Sequence, residues 1–144
     1  MKNKFIQHFW ETIRIFDREI FLQNSASCCN GISVAQCHTL LEVEKKPEIS
    51  ISELAKNMTL DKSTVSRTVD GLVNISLVDR VIPKDNRRKA LLNLTDSGHQ
   101  VCETINYTND SYIKKILDNF TETERKEFLR LFNKLTCNMA AVRE

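Results

Sequence analysis

Glycine and proline, the residues that most often interrupt helices and shape turns, are scarce in this sequence. The 144-residue chain contains three glycines and two prolines, too few for the many turns of a β-sandwich or barrel. Its 41% apolar and 28% charged residues are ordinary for a folded protein with a core. We therefore expect a mostly α fold with a minor β component, formed as a single domain over residues 1–144.

Long apolar runs are missing as well. The longest uninterrupted run, Met-Ala-Ala-Val at 139–142, is far shorter than the roughly 18–20 residues that a membrane-spanning helix needs. Polar residues also interrupt the N-terminus too early for the apolar region of a signal peptide. We expect a cytoplasmic protein with no membrane partner. Its five cysteines then act as thiols, metal ligands or redox sensors instead of forming a disulfide framework.

Aromatic residues are absent from the whole middle of the chain. All ten lie within 5–21 or 107–132, and residues 22–106 contain none. Proteins that bind single strands stack bases on aromatic side chains. If the middle of this chain binds nucleic acid, duplex is therefore the expected form.

Local capping signals predict where the helices begin. Ser-x-x-Gln or Ser/Thr-x-x-Glu capping boxes start at Ser33, Ser50 and Thr121, and Asp61 and Thr95 are further candidate N-caps. With the apolar spacing, these signals predict helices over 5–21, 34–45, 51–58, 62–75, 96 to about 120, and 122–142. The third and fourth helices are separated by about three residues, which is the helix-turn-helix spacing.

Residues 78–94 have the periodicity of strands. Apolar and polar residues alternate over 78–82, a second short apolar run covers 90–94, and basic residues lie between them, which predicts a β-hairpin with a charged tip. The ten residues from Arg80 to Lys89 hold five cations against Asp85 alone, although the net charge of the chain is only +2. Such a local block indicates a discrete contact with a polyanion.

A helix-turn-helix followed directly by a basic hairpin is a winged helix arrangement, predicted here over residues 32–95. The second helix of the pair presents hydroxyls and cations to a major groove, and the hairpin tip reaches phosphates or the minor groove. Solvated polar surface is the alternative interpretation of each residue alone, but the order of the elements favours duplex DNA. The candidate DNA-contacting residues are Lys62, Ser63, Thr64, Ser66, Arg67, Lys84, Arg87, Arg88 and Lys89.

The helices at the two ends of the chain hold all ten aromatics, more apolar surface than a small winged helix covers. We expect residues 1–25 and 96–144 to form a dimerisation region. A homodimer places two recognition helices about one DNA turn, roughly 34 Å, apart.

Segments 54–55, 60–67, 85–88 and 94–98 resemble the MarR family of bacterial regulators. The Asp-x-Arg of the wing followed by Leu-Thr-x-x-Gly is the most specific part, and the likeness covers nearly the whole chain. The resemblance implies a homodimer that binds a palindromic operator, usually as a repressor released by a small ligand, metal or oxidant. It also implies that Asp85 orients an arginine of the wing.

Three cysteines and a histidine lie within eleven residues: Cys28, Cys29, Cys37 and His38. They are candidate ligands for a thiophilic metal or metalloid ion, with His38 as a further donor if the ion is zinc. Disulfide formation between Cys37 and Cys28 or Cys29 is a competing redox interpretation. In the structural interpretation, Cys37 packs against Ile32 as a hydrophobic staple, and the effector is an ordinary organic ligand.

The remaining two cysteines, Cys102 and Cys137, fall on long helices, where we expect them to pack as small apolar residues. The sequence shows no Gly-rich phosphate loop, no nucleophile with a base, and no paired catalytic carboxylates, so we do not expect an enzyme. The alternative from a different class is a thiol-based metal-binding protein that does not bind DNA.

Overall fold

The structure, a computed structural model, describes residues 3–26 and 31–143. In chain order the elements are α1 (Lys4–Ala26), α2 (Val34–Lys45), β1 (Ile49–Ser50), α3 (Ile51–Met58), α4 (Lys62–Asn74), β2 (Val78–Val81), β3 (Leu91–Leu94), α5 (Asp96–Ile116) and α6 (Glu122–Ala141). Two compact units cover Met1–Asn106 and Tyr107–Glu144. Within the described residues, no helix is both long and apolar enough to span a bilayer. The mostly α architecture with a small sheet is as predicted.

The helix starts confirm the capping predictions. Ser33, Ser50 and Thr121 each form a complete capping box, in which the hydroxyl accepts the N–H three residues on and the Gln or Glu there accepts the cap's own N–H. Two helix ends were predicted wrongly: α1 continues to Ala26 instead of ending at residue 21, and α5 stops at Ile116 instead of near residue 120. The guanidinium of Arg125 donates to the carbonyl of Leu117 at 3.1 and 2.7 Å, which satisfies a backbone acceptor just beyond this helix end.

The sheet is antiparallel, with strand order β1-β3-β2. Arg80 of β2 lies opposite Leu92 of β3, and on the other side Ser50 of β1 lies opposite Leu91. Strand β1 was not predicted from the sequence, because two residues are too few to show alternation. This short strand ties the start of α3 to the base of the hairpin.

The core lies in the first unit and draws on every element from α2 to the first half of α5. Leu40, Leu54, Val69 and Leu92 are fully buried there, and Cys102 of α5 joins the same cluster. Burial of side chains of this size contributes about 1.5–3 kcal/mol each. The core therefore fixes α3, α4 and the sheet as one block.

The Leu-Thr-x-x-Gly segment closes this block at the start of α5. Thr95 donates its N–H to the carbonyl of Leu77 at 3.1 Å and its hydroxyl to that of Ser76 at 2.7 Å, while the hydroxyl oxygen accepts the N–H of Gly98 at 3.0 Å. A Cβ at position 98 would lie 2.1 Å from the Leu77 carbonyl oxygen. Only glycine fits this approach of helix to backbone.

The helices at the ends of the chain bury no side chain among the described residues of this single chain. On α1, Phe5, Trp10 and Phe21 are 74%, 56% and 67% exposed. On α6, considered by itself, Phe128 stacks on Phe132 with ring centroids 5.5 Å apart. Both helices thus carry apolar faces that the folded chain leaves uncovered.

The two cysteines of the long helices differ. Cys102 is fully buried as predicted; burial first, and the nearby charge of Glu44 second, raise the pKa of its thiol to about 11. The prediction of a buried Cys137 is wrong, since this residue is exposed on a helix that buries none of its residues.

Candidate nucleic-acid interface

A tight turn joins α3 to α4. Thr59 ends α3 in the left-handed conformation, with φ 55° and ψ 43°, and the N–H of Leu60 donates to the carbonyl of Ala55 at 3.0 Å. On the two helices, Leu54, Ala55 and Val65 are buried. This packing holds α4 with its first turn at the surface.

Asp61 organises the first turn of α4. Its carboxylate accepts the hydroxyl of Ser63 and both the hydroxyl and the N–H of Thr64, the last two at 2.6 and 2.8 Å. These hydrogen bonds hold the pKa of Asp61 well below its usual range, and the hydrogen bond from Ser63 makes the largest contribution. Because both hydroxyl protons are engaged, Ser63 and Thr64 offer acceptor lone pairs to a ligand. The sequence identified Asp61 only as a cap, and its control over these two hydroxyls is visible only in the structure.

The other candidates on α4 differ in exposure. Lys62 and Arg67 are exposed and Ser66 is half-buried. Arg67 donates its Nε–H to the carbonyl of Ser63 at 3.3 Å, which orients the guanidinium along the helix surface. The first two turns of α4 thus present two cations beside two hydroxyl acceptors.

The tip of the β2–β3 hairpin, residues 82–90 and hereafter the wing, is built from two successive turns. The N–H of Asn86 donates to the carbonyl of Pro83 at 3.3 Å, and the N–H of Lys89 donates to the carbonyl of Asn86 at 3.1 Å. The side chain of Asn86 also accepts the N–H of Arg88 at 3.2 Å. All four cations of the tip are exposed, and none forms an ion pair with a described residue: Lys84, Arg87, Arg88 and Lys89.

Two charged residues of the basic block stand apart from this group. Arg80 pairs with Asp70 of α4 at 2.6 Å, so it links strand β2 to α4 and its charge is balanced. Asp85 is exposed and makes no ion pair with the described part of the chain. Its predicted role in orienting an arginine stays a prediction.

The structure does not gather the candidate thiol cluster into a site. Cys28 and Cys29 lie outside the described residues. Cys37 is buried in the same core cluster as Ile32, as a hydrophobic staple requires. His38 is exposed and faces a shallow cavity of about 260 Å³ between α2 and α3. Among residues 3–26 and 31–143, no three His, Cys, Asp or Glu residues are placed to hold a metal ion.

Comparison with known proteins identifies this arrangement. The profile of the MarR family matches residues 32–90, the segment that runs from the start of α2 to the end of the wing. Over these residues the chain is similar to the MarR family. The matched segment contains all nine candidate DNA-contacting residues.

Individual relatives show the same similarity. The HTH-type transcriptional regulator BilQ of Clostridium symbiosum is 29% identical over 105 residues, covering 73% of this chain and 73% of BilQ. FabT of Streptococcus pneumoniae, solved in complex with DNA, has a TM-score of 0.82 at 19% identity, covering 96% of this chain and 99% of FabT. Staphylococcus aureus MarR, solved in complex with salicylate and kanamycin, has a TM-score of 0.84 at 18% identity, covering 95% and 93% of the two chains. The two structures show that this chain shares the MarR fold.

Proposed function

We propose that this protein binds a palindromic operator as a homodimer, with α4 in the major groove and the wing on the backbone and minor groove. The observation that carries this proposal is the distribution of unpaired cations. Elsewhere in the described chain some lysines and arginines, such as Lys46 and Arg130, have carboxylate partners, and those without one are spread over several helices; only at the wing do four lie within six residues. The four cations of the wing tip have none among the described residues, which fits a surface whose partner is an external polyanion.

The α4 surface suits the reading of base edges. In the major groove, cytosine and adenine present N–H donors, and guanine presents two acceptors. The lone pairs of Ser63 and Thr64 match the donors, and the guanidinium of Arg67 matches guanine. Sequence preference therefore comes from α4, whereas the wing supplies affinity that depends strongly on salt.

The homodimer follows from the uncovered faces of α1 and α6. Exposed apolar surface of this extent usually marks an interface, and two-fold symmetry is the commonest arrangement of homo-oligomers. A symmetric dimer reads two half-sites about one helical turn, roughly 10 base pairs, apart.

Site selection from random duplexes, followed by fluorescence anisotropy, tests this function. The selected sites should be palindromic, and the logarithm of affinity should fall steeply and linearly with the logarithm of salt concentration. Arg67→Ala should lower affinity by about 1–3 kcal/mol and relax base preference at one position. Lys45→Ala removes an exposed cation at the end of α2 and is the matched control. Absence of duplex binding by the folded wild-type protein contradicts the proposal and favours the thiol-based metal-binding alternative.

We further propose that the protein acts as a repressor whose DNA affinity a small effector lowers. An effector that prefers one separation of the two DNA-binding lobes changes operator affinity by its differential affinity for the two states. The thiol hypothesis names a metal, metalloid or oxidant acting at Cys28, Cys29 and Cys37, and an organic ligand is the alternative.

Burial of Cys37 decides how the thiol hypothesis is tested. The double variant Cys28→Ser/Cys29→Ser keeps Cys37, so the packing of this buried thiol in the core is retained. Under the hypothesis, arsenite, zinc or peroxide lowers operator affinity of the wild-type protein but not of the double variant. Cys102→Ala is the control, because it removes a thiol outside the cluster. A double variant that responds like the wild type rejects thiol sensing.

A further inference from the structure

A cavity of about 390 Å³ opens between the wing and the first turn of α3. The wing contributes Arg88 and Lys89, and the helix contributes Ser52. Within the described residues its lining includes no carboxylate; the full lining is Ser50, Ile51, Ser52, Asn86, Arg88, Lys89 and Ala90. Two cationic side chains, the hydroxyl of Ser52 and an amide are groups that donate hydrogen bonds to anions.

Strand pairing and turn geometry bring these residues together. Ser50 lies opposite Leu91, so the start of α3 sits beside the last residues of the wing. The side chain of Asn86 accepts the N–H of Arg88, and its carbonyl accepts the N–H of Lys89. The backbone that carries the two cations is therefore fixed on the α3 side of the wing.

The other two cations of the wing lie along a different cavity. Lys84 and Arg87 line it together with Ile82 and Pro83, and no residue is shared between the two linings. The wing thus divides its four cations into two pairs with different surroundings.

The nearest carboxylate on α3 does not oppose an anion in this cavity. Glu53 accepts hydrogen bonds from the N–H and hydroxyl of Ser50, both at 3.1 Å, and from the ammonium of Lys46 at 2.8 Å. These interactions lower the pKa of Glu53 to about 2, and the hydrogen bond from Lys46 makes the largest contribution. Its charge is balanced by Lys46, so the cavity keeps the positive charge of its own two cations.

We propose that this cavity holds one phosphate of the DNA backbone, gripped jointly by Arg88 and Lys89, with the hydroxyl of Ser52 as a further donor. A guanidinium and an ammonium around one anion match the geometry of phosphate recognition, and the side-chain hydroxyl of Ser52 has no hydrogen bond to another described residue. This inference rests on the proposed DNA-binding function and assigns Arg88 and Lys89 a role distinct from that of Lys84 and Arg87.

Placing a negative charge in the cavity tests the proposal. Ser52→Asp puts a carboxylate beside the bound phosphate, and Ser97→Asp is its matched control. Both serines are exposed and each is the second residue of a capped helix, where an acidic residue favours the helix. Both variants should fold with wild-type thermal stability. Ser52→Asp should bind the selected duplex about tenfold more weakly or worse, and Ser97→Asp as the wild type does.

The salt dependence shows whether the two cations share a phosphate. Arg88→Ala/Lys89→Ala should reduce the slope of log affinity against log salt by about one per protomer, whereas contacts to two separate phosphates would reduce it by about two. A reduction of two overturns the joint grip.

Free inorganic phosphate is the other source of the same chemistry, and calorimetric titration with it separates the two. If the site binds free phosphate, the wild-type protein should show heat of binding that Ser52→Asp abolishes, while Ser52→Asp and Ser97→Asp bind the duplex with equal affinity. This result overturns the assignment to DNA. If the wild-type protein binds no duplex, the proposed function itself fails. If the wild type binds and Ser52→Asp binds equally well, only the phosphate site fails.

Discussion

Replacing Gly98 with alanine should destabilise the protein although alanine is the better helix former. The added Cβ would lie 2.1 Å from the carbonyl oxygen of Leu77 and 3.4 Å from the Cβ of Leu94. Ordinary contact requires that the carbonyl and the helix separate by about 1 Å. The same carbonyl accepts the N–H of Thr95 at 3.1 Å, so this movement also weakens a hydrogen bond that anchors α5 to the end of β3.

The size of the effect follows from three contributions. Overpacking against a fixed backbone costs about 1–3 kcal/mol, and the strained hydrogen bond costs about 1 kcal/mol. The higher helix propensity of alanine returns up to about 1 kcal/mol. The net loss is about 2 kcal/mol, which lowers the melting temperature of a chain of this size by about 6–8 °C.

Thermal unfolding followed by circular dichroism at one fixed protein concentration measures this change. Gly71→Ala is the matched control, because the same Cβ on α4 meets only the flexible amide end of Gln36, at 3.0 Å. It should change stability by at most about 1 kcal/mol in either direction. The reasoning is refuted if Gly98→Ala melts at or above the wild-type temperature, or if both variants lose the same stability.

Three further outcomes are expected. Thr59→Gly should raise the free energy of unfolding, measured in urea, by about 0.5–1 kcal/mol. A left-handed non-glycine residue costs roughly 1–2 kcal/mol, and the greater conformational entropy of glycine in the unfolded chain offsets part of this gain. Thr59→Ala, which keeps the Cβ, should raise the free energy of unfolding less. The carboxyl of Glu53 should titrate by NMR near pH 2, and Lys46→Met should move its pKa toward the ordinary 4.5. Because folding depresses this pKa, the stabilisation is complete above pH 4.5 and lost as pH falls toward 2; an unshifted midpoint in Lys46→Met contradicts the role of Lys46. Cys102, buried and with its pKa raised to about 11, should resist alkylation in the native protein and react in urea, as peptide mass spectrometry will show; rapid native labelling contradicts its burial.

Local sequence determined where most elements begin. A capping box joins residues three apart, so Ser33, Ser50 and Thr121 specify helix starts without any tertiary partner. Apolar spacing likewise predicted the helix-turn-helix and the hairpin, because a helix face and a strand face have fixed periods. The family resemblance came from short segments as well, and the MarR profile covers 54–55, 60–67 and 85–88 but not 94–98.

Tertiary structure decided how the charged and polar residues of the site are used. Arg80 belongs by sequence to the basic block, yet it pairs with Asp70, ten positions away. Cys37 and His38 are neighbours in sequence, yet the helix turns one into the core and leaves the other exposed.

Strand β1 and the packing of Gly98 against Leu77 also depend on tertiary contacts and were not predictable from local sequence. Local patterns fixed the capped helices and the basic hairpin, since their partners lie within a few residues of one another. The placement of Arg88 and Lys89 beside α3 depends on the pairing of Ser50 with Leu91, about forty positions along the chain. No local pattern encodes such a contact, because it forms only when the shared core brings distant segments together.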